Sequence, residues 1–271
     1  MANRYNPKKY WTKHLEENFS LSGVGFTQFG DSYNDWMYKM KGKILERVIS
    51  KYKVDAPSAK ILDIGCGSGF YVDFWQQKGA RVLTGLDITA KSAGELTNRY
   101  PKFSFYEADI TSPTLIRELP LKLGGFDIIT AFDVLFHVVD DDKFEQAIRN
   151  IGMLCSKSEF IFITDIFPHK MPYIIFHQKS RILKDYIQIL SKNNIEIVGR
   201  LPVHYLLNAP LDISNGLLQK ILLYFWWGRA VSIIERKTHL LGPLFFGLDL
   251  IFTRIYQESP STEMIICRPK K

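Results

Sequence analysis

Apolar and polar positions along the chain fall into two alternating patterns. Short apolar runs at Lys60 to Ile64, Arg81 to Leu86, Phe103 to Glu107, Phe126 to Phe132 and Glu159 to Thr164 read as strands. Between them lie segments of helical spacing. Phe70, Tyr71, Phe74 and Trp75 share one face of the first, and Phe144, Ala147, Ile148 and Ile151 share one face of a later one. Before the first strand, Trp36, Met37, Met40, Ile44, Leu45, Val48 and Ile49 predict a helix from Asn34 to about Lys53, with Asn34 or Asp35 as its N-cap. Strands that alternate with helices at this spacing predict βαβ units and a parallel sheet covered on both faces.

After Ile166 the simple alternation ends. A helix is predicted from Ser180 to Lys192 and a strand from Ile195 to Leu206. An apolar, aromatic and basic stretch follows, and a last strand-like run spans Glu263 to Cys267. In that stretch Lys220, Arg229 and Asp249 interrupt the apolar runs before they reach the roughly 20 residues that cross a bilayer. Its helices are expected to pack on the core as a substrate cap. Peripheral contact with a membrane surface through Phe225, Trp226, Trp227, Phe245 and Phe246 is the alternative.

Composition narrows the class. The chain has 271 residues, 46% hydrophobic and 23% charged, as in a folded globular protein. Its three cysteines, Cys66, Cys155 and Cys267, lie far apart, giving no metal-ligand spacing and fitting a reducing compartment. No metal site is expected. The basic start lacks the apolar stretch of a secretory signal, so a cytoplasmic location, with the membrane periphery as a variant, is the expectation. A formal net charge of +7 suits anionic surfaces, but the basic residues are dispersed and carry no nucleic-acid module.

Candidate chemistry begins at ILDIGCGSGF, Ile61 to Phe70. A strand, a glycine turn and a helix place backbone N–H groups at a helix start, where a polar or anionic ligand group is welcome. Gly65 permits the turn, Gly67 clears the ligand path and Gly69 allows close approach of strand and helix. Asp87 ends the second strand about 20 residues after Gly65, where a carboxylate can accept from both ribose hydroxyls of an adenosine. Asp109 ends the third strand, and Asp63 stands two residues before Gly65. An exposed strand-end or helix-capping role is the alternative for each aspartate taken singly.

Taken in order over about Ala59 to Ile166, ILDIGCGSGF, TGLDIT, YEADI and FDIITAFDVLFHVVDD resemble the successive motifs of the class I S-adenosylmethionine-dependent methyltransferases. The resemblance implies an α/β fold with a seven-stranded, mostly parallel, doubly wound sheet whose last strand is antiparallel, the place that Glu263 to Cys267 suits. It implies that Asp63 and the Gly65, Cys66, Gly67 and Gly69 loop hold the methionine part of S-adenosylmethionine, Asp87 the ribose and Asp109 the adenine. Ile88, Ile110, Phe132 and Asp133 belong to the same cofactor wall. Four segments of one domain are expected: an N-terminal helical lid, 1–57; the cofactor-binding core, 58–210; a helical insertion or cap, 211–256, shaping an apolar acceptor pocket; and the last strand with the tail, 257–271.

Two departures matter. The Asn/Asp-Pro-Pro-Tyr signature of relatives that methylate nucleic-acid amino groups is absent, since Ala131-Phe132-Asp133-Val134 stands there. Ile166 stands where metal-dependent relatives carry Asn after an acid at Asp165.

Methyl transfer is an in-line displacement in which alignment matters most, and a base is needed when the acceptor must lose a proton. His137, just past the fourth strand, is the candidate base, with a backbone hydrogen bond at the turn as its structural alternative. His169, His177 and His204 compete for the role. Tyr33, Trp36 and Tyr38 of the leading helix are candidates for a lid over the cofactor, with core packing as the equal alternative for Trp36. Asp140, Asp141 and Asp142 precede a helix and are expected to favour its N-terminus. The expected activity is O-methylation of a small-molecule, sugar or lipid-linked acceptor. An NAD-dependent oxidoreductase and a non-catalytic protein of the same fold that binds a membrane or a partner are the alternatives.

Overall fold

The computed structural model describes residues 5–27, 29–212 and 236–270, together with Leu217, Ile221, Tyr224, Trp226 and Ile233. Seven strands form the main sheet: β1 (Lys60–Ile64), β2 (Val82–Asp87), β3 (Ser104–Glu107), β4 (Phe126–Phe132), β5 (Cys155–Ile166), β8 (Ile195–Pro202) and β9 (Thr262–Pro269). Their order is β3-β2-β1-β4-β5-β9-β8. The five from β3 to β5 run parallel, and β9 lies antiparallel to both of its neighbours. The late apolar run thus takes the inserted antiparallel place that the family pattern implies.

Strand period two is visible in the core. Ile61, Ile128, Phe160 and Phe162 join one buried cluster, while Leu62, Ile129, Ile161 and Ile163 join the cluster on the opposite face. Each face is then covered by helices, as a parallel sheet requires. Helices α3 (Asp31–Tyr52), α4 (Phe70–Gln77) and α5 (Ala90–Arg99) pack on the first; α7 (Asp141–Leu154) and α8 (Leu183–Lys192) pack on the second. The short helices α2 (Leu21–Val24) and α6 (Leu115–Glu118) complete the connections.

Several expected boundaries move. The leading helix starts at Asp31, with Gly30 at its N-cap and no side-chain cap. Asn34 is buried instead, its amide accepting from the Phe26 N–H and donating to the Phe26 and Phe29 carbonyls, so it staples the preceding loop. Ser180 belongs to a hairpin, β6 (Tyr173–Ile175) with β7 (Gln178–Ser180), and the helix begins only at Leu183. The strand after it stops at Pro202, because Asp249 draws the following chain aside by accepting from the N–H groups of Tyr205, Leu206 and Leu207. Asp140 caps α7 through the Lys143 N–H, as its position suggests.

Asp249 lies on α9 (Thr238–Ile255), which packs along α3. A Cβ on Gly242 would stand 2.2 Å from Trp36, so only glycine lets the two helices approach this closely. Arg47 clamps them, donating to the Thr253 hydroxyl and the Leu250 carbonyl. Trp36 and Phe246 meet in that seam, which makes Trp36 a packing residue. Phe225 and Trp227 lie outside the described residues. No helix among the described residues is long and apolar enough to cross a membrane.

Candidate functional site

At the carboxyl ends of β1 to β4 lies a cavity of about 870 Å³, within the size range of small-molecule sites. Gly65, Cys66 and Gly67 form its floor, and Asp87, Ile88, Asp109, Ile110, Phe132 and Asp133 contribute to its walls. Two of the candidate residues stand behind the surface. Asp63 is buried one position before the first lining residue of β1, and Gly69 starts α4. Gly69 has φ +92°, and a Cβ there would fall 2.6 Å from Leu96, so it serves the approach of α4 to α5. Gly65 has φ +72° and abuts Val134 in the same way.

Asp87 ties the floor to the wall. Its Oδ2 accepts from the Gly67 N–H at 2.9 Å, and its Oδ1 accepts from the N–H and hydroxyl of Thr89. Burial raises its pKa, against those hydrogen bonds. Asp109 places Oδ1 on the N–H and hydroxyl of Thr111, which leaves Oδ2 available at the cavity wall. Asp63 Oδ1 accepts from the Thr130 hydroxyl at 2.6 Å, while its Oδ2 is buried without a partner. Burial pushes its pKa up to about 7. A buried acceptor atom without a donor is costly, and here it lies beside a glycine cradle that keeps side chains out. Such acceptors suit a ligand that brings hydroxyl, amino and ammonium donors, as an adenosyl amino acid does.

The opposite wall comes from segments whose role in the cavity the spacing does not announce. Helix α1 (Pro7–Glu17) lies over the opening with Lys8, Trp11 and Leu15, and Tyr38 and Tyr71 project from α3 and α4. Of the three aromatic residues expected from the leading helix only Tyr38 lines the cavity, because Tyr33 is in the core and donates to the Leu207 carbonyl. None of the described residues of 211–256 lines it; α9 sits against α3 instead.

His137 occupies a short 3-10 turn after β4 and faces the cavity. Its Nδ1 stands 2.9 Å from the His177 carbonyl. A carbonyl only accepts, so Nδ1 carries the proton and Nε2 keeps its lone pair. Burial lowers its pKa to about 4, only partly offset by that hydrogen bond, so the ring is neutral at pH 7. Trp11 meets it edge-on, and His177 stacks on it and on Tyr10.

The other histidines lie elsewhere. His169 forms an exposed pair with Asp212. His177 supplies a carbonyl, and His204 is fully buried, with burial lowering its pKa to about 3. Cys66 is a small buried wall residue whose thiol burial pushes well up. No group of metal-ligating side chains occurs among the described residues; Asp165 is buried on Ser180, Tyr186 and the Ile166 N–H. Lys41 went unnoticed in the sequence. It reaches from α3 to Asp133, and a lone lysine inside a helical stripe gives no hint of such a partner.

A family model described as a methyltransferase domain matches residues 61–157. Among curated relatives, the ubiquinone biosynthesis O-methyltransferase of Chromobacterium violaceum is 27% identical over 118 residues, covering 43% of this chain and 48% of that one. Its counterpart from Paracidovorax citrulli is 33% identical over 93 residues, covering 32% and 37%. The chain spans about half the length, or less, of these relatives. Two solved structures share the fold. Magnesium protoporphyrin IX methyltransferase of Synechocystis PCC 6803 with bound SAM aligns with TM-score 0.53 at 18% identity, over 74% of this chain and 91% of that one. The cyclase SpnF aligns with TM-score 0.54 at 14% identity, over 85% and 81%. Because a cyclase has this fold too, fold alone does not fix the reaction. The match over 61–157 takes in the glycine loop, Asp87, Asp109 and Asp133. With the strand order, it shows a methyltransferase domain of the class I, S-adenosylmethionine-dependent kind over this part of the chain.

Proposed function

We propose that the protein transfers the methyl group of S-adenosylmethionine to an oxygen of a small, ring-bearing acceptor whose hydroxyl is acidic, such as a phenol. When bound, S-adenosylmethionine supplies an electrophilic methyl carbon, which an acceptor oxygen takes in an in-line displacement that releases the thioether. Asp87 accepts from the ribose hydroxyls and Asp109 from the adenine amino group. Gly65, Cys66 and Gly67 let the methionine part lie against backbone, with Asp63 balancing its ammonium. Helix α1 excludes water from above.

The observation that carries the oxygen acceptor is His137. It is neutral, with the proton fixed on Nδ1 and the Nε2 lone pair free to take the acceptor's proton. A base with a pKa of about 4 is weak. It matches a phenol, near pKa 10, far better than an aliphatic alcohol, which is several units less acidic. Trp11, Tyr38 and Tyr71 offer faces for a planar ring, and the names of the curated relatives accord with a quinol-like acceptor. Sugar and lipid-linked hydroxyls fit this base less well.

The test is transfer of a labelled methyl group to matched phenolic, sugar and lipid acceptors. Label in the phenol, lost in His137→Ala, is the expected result. Label found only in sugars or lipids, or in phenol at full rate with His137→Ala, would overturn the acceptor assignment.

A further inference from the structure

Asp133 at the cavity wall forms an ion pair with a buried lysine behind it. Lys41 Nζ lies 2.6 Å from Asp133 Oδ2, with the lysine side chain 7% exposed. A lysine is seldom buried this far without a purpose. Buried ion pairs add little to stability, because desolvation offsets the attraction. Burial works against the charge on Lys41, but Asp133 and Tyr38 outweigh it and its pKa lies above the ordinary lysine value. The ammonium also sits 4.2 Å from the centre of the Tyr38 ring, which lines the cavity.

Asp133 needs an anchor. At the end of β4 its backbone is left-handed, with φ +57°, a conformation that a residue with a side chain adopts at a cost. Its N–H donates to the Thr164 hydroxyl at 2.9 Å, that hydroxyl donates back to Asp133 Oδ1 at 3.0 Å, and Lys41 takes Oδ2. Three contacts from β5 and α3 thus fix one residue. The next, Val134, presses against the turn at Gly65, where the methionine part of the donor is assigned.

We propose that Lys41 is a positioning residue of the donor site, acting through the Asp133 carboxylate that it anchors at the end of β4. This rests on the donor assignment above. Without Lys41 the half-buried carboxylate loses its counter-charge, the strained turn loses a support, and the wall beside Gly65 shifts.

Calorimetric titration with S-adenosylhomocysteine reads this without turnover. Lys41→Met is expected to bind about tenfold more weakly, Asp133→Asn likewise, and the Lys41→Met/Asp133→Asn pair to recover to within about threefold, a departure from additivity typical of contacting residues. Lys41→Arg should stay within about threefold. Should Lys41→Met not fold, Asp133→Asn against the pair gives the same comparison. Unchanged binding in both single variants, or a pair weakened by the product of the two, overturns the proposal. Absence of binding by the parent protein would instead sink the donor assignment itself.

Discussion

The two walls of the cavity are built by different means. On the donor side the contacts of Asp87 and Asp109 are made inside one strand-turn unit or between adjacent strands: Gly67 with Asp87, Asp87 with Thr89, Asp109 with Thr111. On the acceptor side the contacts join distant parts of the chain. Trp11 of α1 meets His137 edge-on, and the His137 ring N–H donates to the His177 carbonyl across 40 positions. Backbone amides and carboxylates at strand ends suit a ligand whose shape does not change. A wall assembled from loops and helix faces can be remade for each acceptor without disturbing the sheet.

If that division is real, the two sides separate under mutation. The largest effect is expected for His137→Ala. Turnover should fall about 10²- to 10⁴-fold, the range for a general base, while S-adenosylhomocysteine affinity by calorimetry stays within about twofold. A parallel loss of affinity would show that the walls are not independent. Next comes Asp87→Ala, which removes a hydrogen-bonded carboxylate and should weaken S-adenosylhomocysteine by about 100-fold. Undiminished affinity would remove Asp87 from the donor side.

The same division explains what was legible beforehand. Gly65, Asp87 and Asp109 follow strand ends in order, and short apolar runs located those strands to within a residue or two, so the place of these residues at the cavity could be read from spacing. Asn34 misled because an Asx residue before a helical stripe reads as a cap, whereas its amide is used by a loop eight positions away. Lys41 could not be read, since only tertiary packing brings it to Asp133. An N-terminal lid over 1–57 is expected, but the spacing singles out the leading helix and not α1, which lines the cavity. Of the Leu211 to Tyr256 stretch, expected from its composition to shape a pocket, α9 packs along α3, while most of 213–235 lies outside the described residues.

The pH profile sharpens the acceptor side further. With His137 as the proposed base its neutral form is the active one, and a pKa of about 4 puts the expected loss of activity on acidification near pH 4. Turnover should be flat between pH 6 and 8 and fall only below about pH 5. A midpoint near 6.5, the ordinary histidine value, would mean that the ring is not held as described. On the donor side, Gly69→Ala forces a left-handed alanine against Leu96 and should lower stability by about 1–3 kcal/mol in chemical denaturation. The smallest effect belongs to the rim. The Lys8 to Glu107 pair leaves its lysine 62% exposed, so Lys8→Ala should change stability by no more than about 1 kcal/mol.

The most direct test of the account is calorimetric titration of the parent protein with S-adenosylhomocysteine and, separately, with NAD. The account predicts one equivalent of S-adenosylhomocysteine bound, with that binding weakened in Asp109→Ala, and no heat from NAD. Saturable binding of NAD with none of S-adenosylhomocysteine would contradict it.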